Sequence, residues 1–201
     1  MAGRLRTDGE SAMTSRDAEQ LIAEVIARDG GTWADLGAGE GTFTRALARL
    51  IGPSGRVYAV DRNAGAIAAL ELVAESGIAE VIPVRADFTQ PFELPGLGDA
   101  GLDGMLLANA LHFIADAEHV LARLAEWLRP GGRVVFVEYD QRPASQWVPY
   151  PLPAERLAEV AKAAGLTLPV IVSTRHSAFG GNLYLATAER PATAPPPPPQ
   201  P

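Results

Sequence analysis

The sequence predicts an α/β fold: a three-layer sandwich built on a mostly parallel sheet of seven strands, the last of them antiparallel. Three observations predict it. Short apolar runs alternate with helical runs of about a dozen residues, a spacing that calls for parallel strands joined by crossover helices on both faces of a sheet. The last two strand-like runs are separated only by "HSAFGG", too short for a crossover, so that pair forms a hairpin and brings in one antiparallel strand. A chain of 201 residues with an ordinary share of apolar side chains suits one full-sized domain.

Each element follows in order. A helix is expected from Ser15, taken as the N-cap, with Asp17 and Glu19 in its first turn. Leu21, Ile22, Val25 and Ile26 repeat at helical spacing, and Gly30-Gly31 should stop it. "TWADL" reads as the first strand, 42–51 as helix, "RVYAVD" (56–61) as strand, 64–76 as helix and "EVIPVRAD" (80–87) as strand. "LDGMLLAN" (102–109) is strand, 116–128 helix, "GRVVFVEYD" (132–140) strand and 153–164 helix. "TLPVIVSTR" and "NLYLATAE" are the closing hairpin. The domain therefore covers 15–190, after an unpatterned N-terminus (1–14) and before "PATAPPPPPQP" (191–201), a tail whose prolines lack amide donors and apolar surface to pack.

Composition narrows the function classes. The net charge of −7, with no basic run, disfavours a partner gripped through its phosphates, so no nucleic acid is expected. Sixteen of the 17 basic residues are Arg and only Lys162 is Lys, a compositional bias that marks no single Arg. Without cysteine there is no disulfide, thiolate site or Cys nucleophile. No signal-like leader or membrane-length apolar run is present, so the expected location is cytoplasmic. His112, His119 and His176 are scattered and make no metal-ligand spacing, so no metal is expected.

The informative stretch is "WADLGAGEGTF", residues 33–43. An apolar strand runs through Asp35 into Gly37, Ala38, Gly39 and Gly41 and then into a helix N-terminus, whose first amides are free to receive an anion. In an open α/β sheet, ligands bind at the carboxyl ends of the strands near the switch point, and an acid closing the second strand, Asp61 of "AVD", is placed to take both hydroxyls of a ribose. A dinucleotide fingerprint needs glycine where Thr42 stands, and a P-loop needs a Lys that is absent. Asp35 would repel a pyrophosphate but suits a cation. S-adenosylmethionine has that chemistry: a ribose, an ammonium, a sulfonium and a single carboxylate.

Taken together these residues resemble the Rossmann-like (class I) S-adenosylmethionine-dependent methyltransferases, in their small methyltransferase-domain branch. "WADLGAGEGTFTRALA" is similar to the family's glycine-rich motif and "VYAVDRN", with Asp61 and Arg62, to its acidic second-strand motif. "VRADF" resembles the third-strand segment, which implies that Asp87 and Phe88 bracket an adenine. "LDGMLLANALHF", with Asn109, and "LRPGGRVVFVEYD" resemble the fourth and fifth strands. The resemblance implies S-adenosylmethionine as cofactor, methyl transfer as activity, and a seventh strand lying antiparallel between the fifth and sixth. The position after the fourth strand reads "NALH" rather than the Asn/Asp-Pro-Pro-Tyr tetrapeptide of enzymes acting on exocyclic amines of bases, so a small-molecule acceptor methylated at O, N or C is expected.

Methyl transfer needs a positioned nucleophile, and a general base only where that nucleophile must lose a proton. Candidates for such a base are His112 after the fourth strand and Tyr139 or Asp140 after the fifth; the competing readings are that His112 starts a helix and packs beside Phe113, and that Glu138 and Tyr139 simply end a strand. The proline-rich stretch 140–153, with Trp147 and Tyr150, should overhang the site as a substrate wall, and His176 in the last hairpin could face it. The alternative function is a non-catalytic cofactor-binding scaffold or accessory subunit, which would keep the glycine loop and lack a place for an acceptor.

Overall fold

The computed structural model describes residues 13–26, 30–177 and 181–192. Helix α1 spans Ser15–Ile22, strand β1 Gly31–Leu36, α2 Thr42–Ile51, β2 Gly55–Asp61, α3 Ala64–Ala74 and β3 Glu80–Arg85. Then come β4 Leu102–Ala108, a 3₁₀ turn at Leu111–Phe113, α4 Ala117–Ala125, β5 Leu128–Asp140, α5 Ala154–Ala163, β6 Val170–His176 and β7 Asn182–Glu189. The strands form one sheet in the order β3-β2-β1-β4-β5-β7-β6. β7 runs antiparallel to both β5 and β6, and the other pairs are parallel, as expected from the short final connection.

Alternation along the strands explains the layers. In β4, Met105 and Leu107 face one side and Leu106 the other; in β5, Val134 and Phe136 oppose Val135 and Val137. α4 and α5 cover the first face through Leu121, Leu124, Leu157 and Val160. α1, α2 and α3 cover the second through Ile22, Leu47, Ile51 and Leu70. Each of these eight side chains is at most 5 % exposed, and burying one Leu or Ile contributes about 1.5–3 kcal/mol. The order of strands reverses between β1 and β4, which opens a crevice at their carboxyl ends.

Several boundaries differ from the expected ones, each for a physical reason. Thr14, not Ser15, caps α1: its hydroxyl accepts from Asp17 N while the Asp17 carboxylate accepts from Thr14 N at 3.0 Å, a reciprocal capping box. The helix ends at Ile22, where Val25 N and Ile26 N both turn back to its carbonyl, well before Gly30. β5 starts at Leu128 because that residue pairs with Leu102, and the Pro-Gly-Gly segment bulges before the ladder resumes at Arg133. β3 stops at Arg85, since Asp87 turns the chain by accepting from Thr89 N. β6 begins only after Pro169, which has no amide to give the ladder. The expectations for residues 1–12, for 178–180 of the last hairpin and for the tail beyond 192 lie outside the described residues.

Candidate functional site

The crevice holds two cavities that share Gly37 and Asn109. One, of about 200 Å³, is lined by Asp61, Arg62, Asp87, Phe88, Thr89 and Phe113 among others. The other, of about 220 Å³, is lined by Met13, Asp35, the loop Gly37–Glu40, Thr42, Phe43 and Asn109. All ten residues expected to touch a cofactor thus meet at the crevice, nine of them as lining. The tenth, Gly41, is instead the left-handed N-cap of α2, where a Cβ would meet Leu70 and Val73 at 3.0 Å; it sets the packing of α2 on α3.

The other two loop glycines also divide their work. Gly37 (φ +79°) must lack a side chain because a Cβ there would lie 3.0 Å from Ala110 and 3.3 Å from Phe88. Gly39 (φ +53°) faces open space, so its bare backbone leaves room inside the cavity. The loop's amides are largely committed: Gly37 N and Ala38 N donate to Val60 O, Gly39 N to Asp61 Oδ2 and Gly41 N to Ala38 O. A loop that spends its amides on its own framework is no cradle for a diphosphate. The first intrahelical bond of α2 runs from Arg45 N to Gly41 O, so the amides of Thr42, Phe43 and Thr44 precede it, and Thr42 and Phe43 line the second cavity.

Three carboxylates set the electrostatics. Asp61 ties β2 to both neighbouring turns, accepting from Gly39 N at 2.9 Å and Asn63 N at 2.8 Å, each on a different oxygen. Every carboxylate oxygen has further lone pairs, so both remain able to receive a hydroxyl. Asp35 is 1 % exposed and accepts from the Thr44 hydroxyl at 2.6 Å. Burial pushes its carboxyl up to about 7, the Thr44 bond acts against that, and the charge of Asp61 adds to it. Asp87 moves the opposite way: bonds from Thr89, with Arg62 at 3.5 Å, hold it below the usual carboxylate range.

Asn109 carries two anomalies. It is one of two non-glycine residues with positive φ (+53°) among those described, and its Oδ1 is the one buried side-chain polar atom among them without a partner. Strain and an unmet acceptor together, at the junction of two cavities, mark a place that a ligand's donor can complete.

The residues after β4 and β5 form a second structure. Glu138, 1 % exposed, accepts through Oε1 from Ala110 N (3.1 Å), Leu111 N (2.9 Å) and His112 N (3.4 Å). Its Oε2 lies 2.6 Å from His112 Nδ1. An ionised Glu138 accepts all of these, which places the His112 proton on Nδ1. His112 is 2 % exposed and packs its ring on Phe113 (4.4 Å between centroids) and near Tyr139 (5.9 Å). Sequence reasoning singled out His112 but missed Glu138 as its partner; the available signal was an acid at the inward-facing end of an apolar strand. Neither His112, Tyr139 nor Asp140 lines the two cavities, and Asp140 Oδ1 accepts from Ala154 N at 3.3 Å.

The residues expected to form a wall are placed apart from the cavities. Tyr150 N donates to His112 O at 2.9 Å, which lays the 140–153 stretch beside the β4 turn, while Trp147 and Tyr150 present 68 % and 48 % of their surface to solvent. The far end is fixed by the buried Tyr184, whose hydroxyl donates to Leu152 O at 2.8 Å. His176 is exposed at the outer strand, with Nδ1 3.1 Å from Asn182 Oδ1.

Comparison with known proteins adds the following. A family model described as a methyltransferase domain matches residues 34–134. The chain is 31 % identical over 123 residues to the ubiquinone/menaquinone biosynthesis C-methyltransferase UbiE of Stutzerimonas stutzeri, covering 60 % of this chain and 46 % of that protein. It is 32 % identical over 120 residues to an uncharacterized 37.1 kDa protein in transposon TN4556 of Streptomyces fradiae, covering 60 % of this chain and 33 % of that one. The chain thus spans a third to about half the length of these curated relatives. Among solved structures, 1,6-didemethyltoxoflavin-N1-methyltransferase of Burkholderia thailandensis, with bound 1,6-didemethyltoxoflavin and S-adenosylhomocysteine, superposes with TM-score 0.68 at 25 % identity over 88 % of this chain and 78 % of that one. A SAM-dependent methyltransferase from Aquifex aeolicus shares the fold with TM-score 0.67 at 20 % identity, over 85 % and 89 % of the two chains.

Proposed function

Because the chain belongs to the methyltransferase-domain family, we propose that it binds S-adenosylmethionine and transfers its methyl group to a small molecule. The observation that carries this reading is the divided crevice, an acid-lined half and a glycine-loop half meeting at Gly37 and Asn109. A nucleoside joined to an amino acid has those two parts.

The residues fit the cofactor on their own chemistry. Asp61 would take the ribose hydroxyls with the lone pairs that Gly39 and Asn63 leave over, and Asp87 and Phe88 would flank the adenine. Asp35 and the unpartnered Asn109 Oδ1 would receive the ammonium, and the first amides of α2 the carboxylate. Arg62, paired with Asp87, would border the adenine from the solvent side. When bound, S-adenosylmethionine supplies a methyl group on a sulfonium leaving group.

The share of the protein is to hold an acceptor in line, where positioning is worth roughly 7–11 kcal/mol. The Glu138 bonds to the amides of Ala110, Leu111 and His112 support that task, because they fix the turn that carries Asn109 and Phe113 to the cleft. A turnover assay tests the proposal: the protein is incubated with S-adenosylmethionine and a panel of small molecules, and S-adenosylhomocysteine is measured. Acceptor-dependent formation of S-adenosylhomocysteine is expected. Tight cofactor binding with no turnover on any acceptor would instead favour a scaffold.

A further inference from the structure

Seven large apolar side chains are exposed among the described residues: Leu72, Phe113, Trp147, Tyr150, Leu168, Val170 and Ile171. The aliphatic ones lie on α3 and on or just before the outer strand, whereas all three aromatic ones follow β4 or β5. A row of contacts runs from the cleft along that surface. Phe113 lines the cavity of Asp61 and lies tilted against the ring of the buried His112; that ring lies 5.9 Å from Tyr139, and the His112 carbonyl accepts from the amide of Tyr150. The surface has a rigid floor, since Glu138 holds the turn from below through four bonds.

Two cations stand near it: Arg62, which lines the cleft and pairs with Asp87, and Arg142. The Arg142 guanidinium lies over the Tyr139 ring, 4.5 Å from its centroid, and forms no pair with a carboxylate among the described residues. The nearest acids of the same strand are committed: Glu138 to the β4 turn and Asp140 to Ala154 N. The exposed Phe113 ring at the cleft calls for a planar apolar guest, and an unpaired guanidinium over a ring calls for an anion.

Building on the methyltransferase reading, we propose that the acceptor is a planar aromatic compound bearing an anionic group, its ring laid against Phe113 and its anion facing Arg142. The test uses the full chain saturated with S-adenosylhomocysteine, titrated calorimetrically with three probes: 4-hydroxybenzoate, the neutral 4-hydroxybenzyl alcohol, and the non-aromatic anion 4-hydroxycyclohexanecarboxylate. 4-Hydroxybenzoate should bind about tenfold more tightly than either of the others. Arg142→Gln should abolish its advantage over the neutral probe, Arg142→Lys should keep most of it, and Phe113→Ala should weaken both aromatic probes.

Equal affinities for the three probes, or an anion preference that survives Arg142→Gln, overturns the proposal. So does a concentration-dependent dimer that Trp147→Ala dissolves while no aromatic probe binds, which would assign the rings to self-association. S-adenosylhomocysteine binding in the first step separates the two readings. If it fails, the cofactor assignment falls; if it succeeds without aromatic preference, only the acceptor class does.

Discussion

On the side of β1, β2 and β3 the cleft is made of short motifs, each complete within a few residues at the end of its own strand; on the side of β4 and β5 it is made by one segment anchoring another. Gly37, Gly39, Asp35 and Thr44 fall within ten residues, and Asp61 joins them through one bond to Gly39 N. The opposite side depends on Glu138 reaching back to Ala110, Leu111 and His112, and on Tyr150 meeting His112. A side written in short motifs holds a fixed ligand, and one assembled by packing of segments can change its guest without disturbing the first.

The largest expected effect lies on the assembled side. Glu138→Ala leaves three buried amides and the His112 Nδ1–H without their acceptor, which should cost about 3–5 kcal/mol of folding stability, read by urea denaturation. Glu138→Gln keeps one acceptor oxygen and should cost clearly less. A loss under 1 kcal/mol in the alanine variant would mean that the turn stands without its anchor.

On the contiguous side the expected signature is a pH dependence. The carboxyl of Asp35 titrates near 7 in the folded chain, against an ordinary value of 3.8. The folded state therefore keeps a proton that the unfolded state has already lost, so stability should fall as pH rises between those values, by up to about 4 kcal/mol. Asp35→Asn should flatten that part of the stability curve, and an unchanged slope would refute the assignment. A bound ammonium favours the ionised carboxylate, so the affinity for S-adenosylhomocysteine should rise as pH climbs toward about 7 and then level off.

A smaller effect sharpens the contrast. Asp61→Ala should weaken S-adenosylhomocysteine by about 1–3 kcal/mol in a titration, the cost of unpaired hydroxyls and a released Gly39 amide. An unchanged affinity would take Asp61 out of the site.

The same contrast explains what could be read in advance. The seven strands, the antiparallel closing hairpin and the motifs that carry Asp35, Asp61, Asp87 and Asn109 follow from short local patterns whose period and punctuation survive in one dimension, whereas the place of β7 between β5 and β6 came from the family resemblance. The cap of α1 was misplaced by one residue because Thr14 and Ser15 are equally suited to it, and only the Thr14–Asp17 reciprocity decides. The start of β5 was misplaced because Leu128 is a strand residue only by virtue of facing Leu102. Glu138 stayed hidden for the same reason: a carboxylate buried at a strand end has meaning only once the neighbouring turn is known. The expected wall residues Trp147 and Tyr150 could be assigned to a segment but not to a surface, since their place depends on the bond between Tyr150 and His112.

The most direct test of the central claim is a pair of calorimetric titrations on the unmodified chain near pH 7.5, one with S-adenosylhomocysteine and one with NADH. The loop's self-bonded amides and the buried Asp35 predict saturable one-to-one binding of the sulfur nucleoside and none of the dinucleotide. Saturable binding of NADH with none of S-adenosylhomocysteine would contradict it.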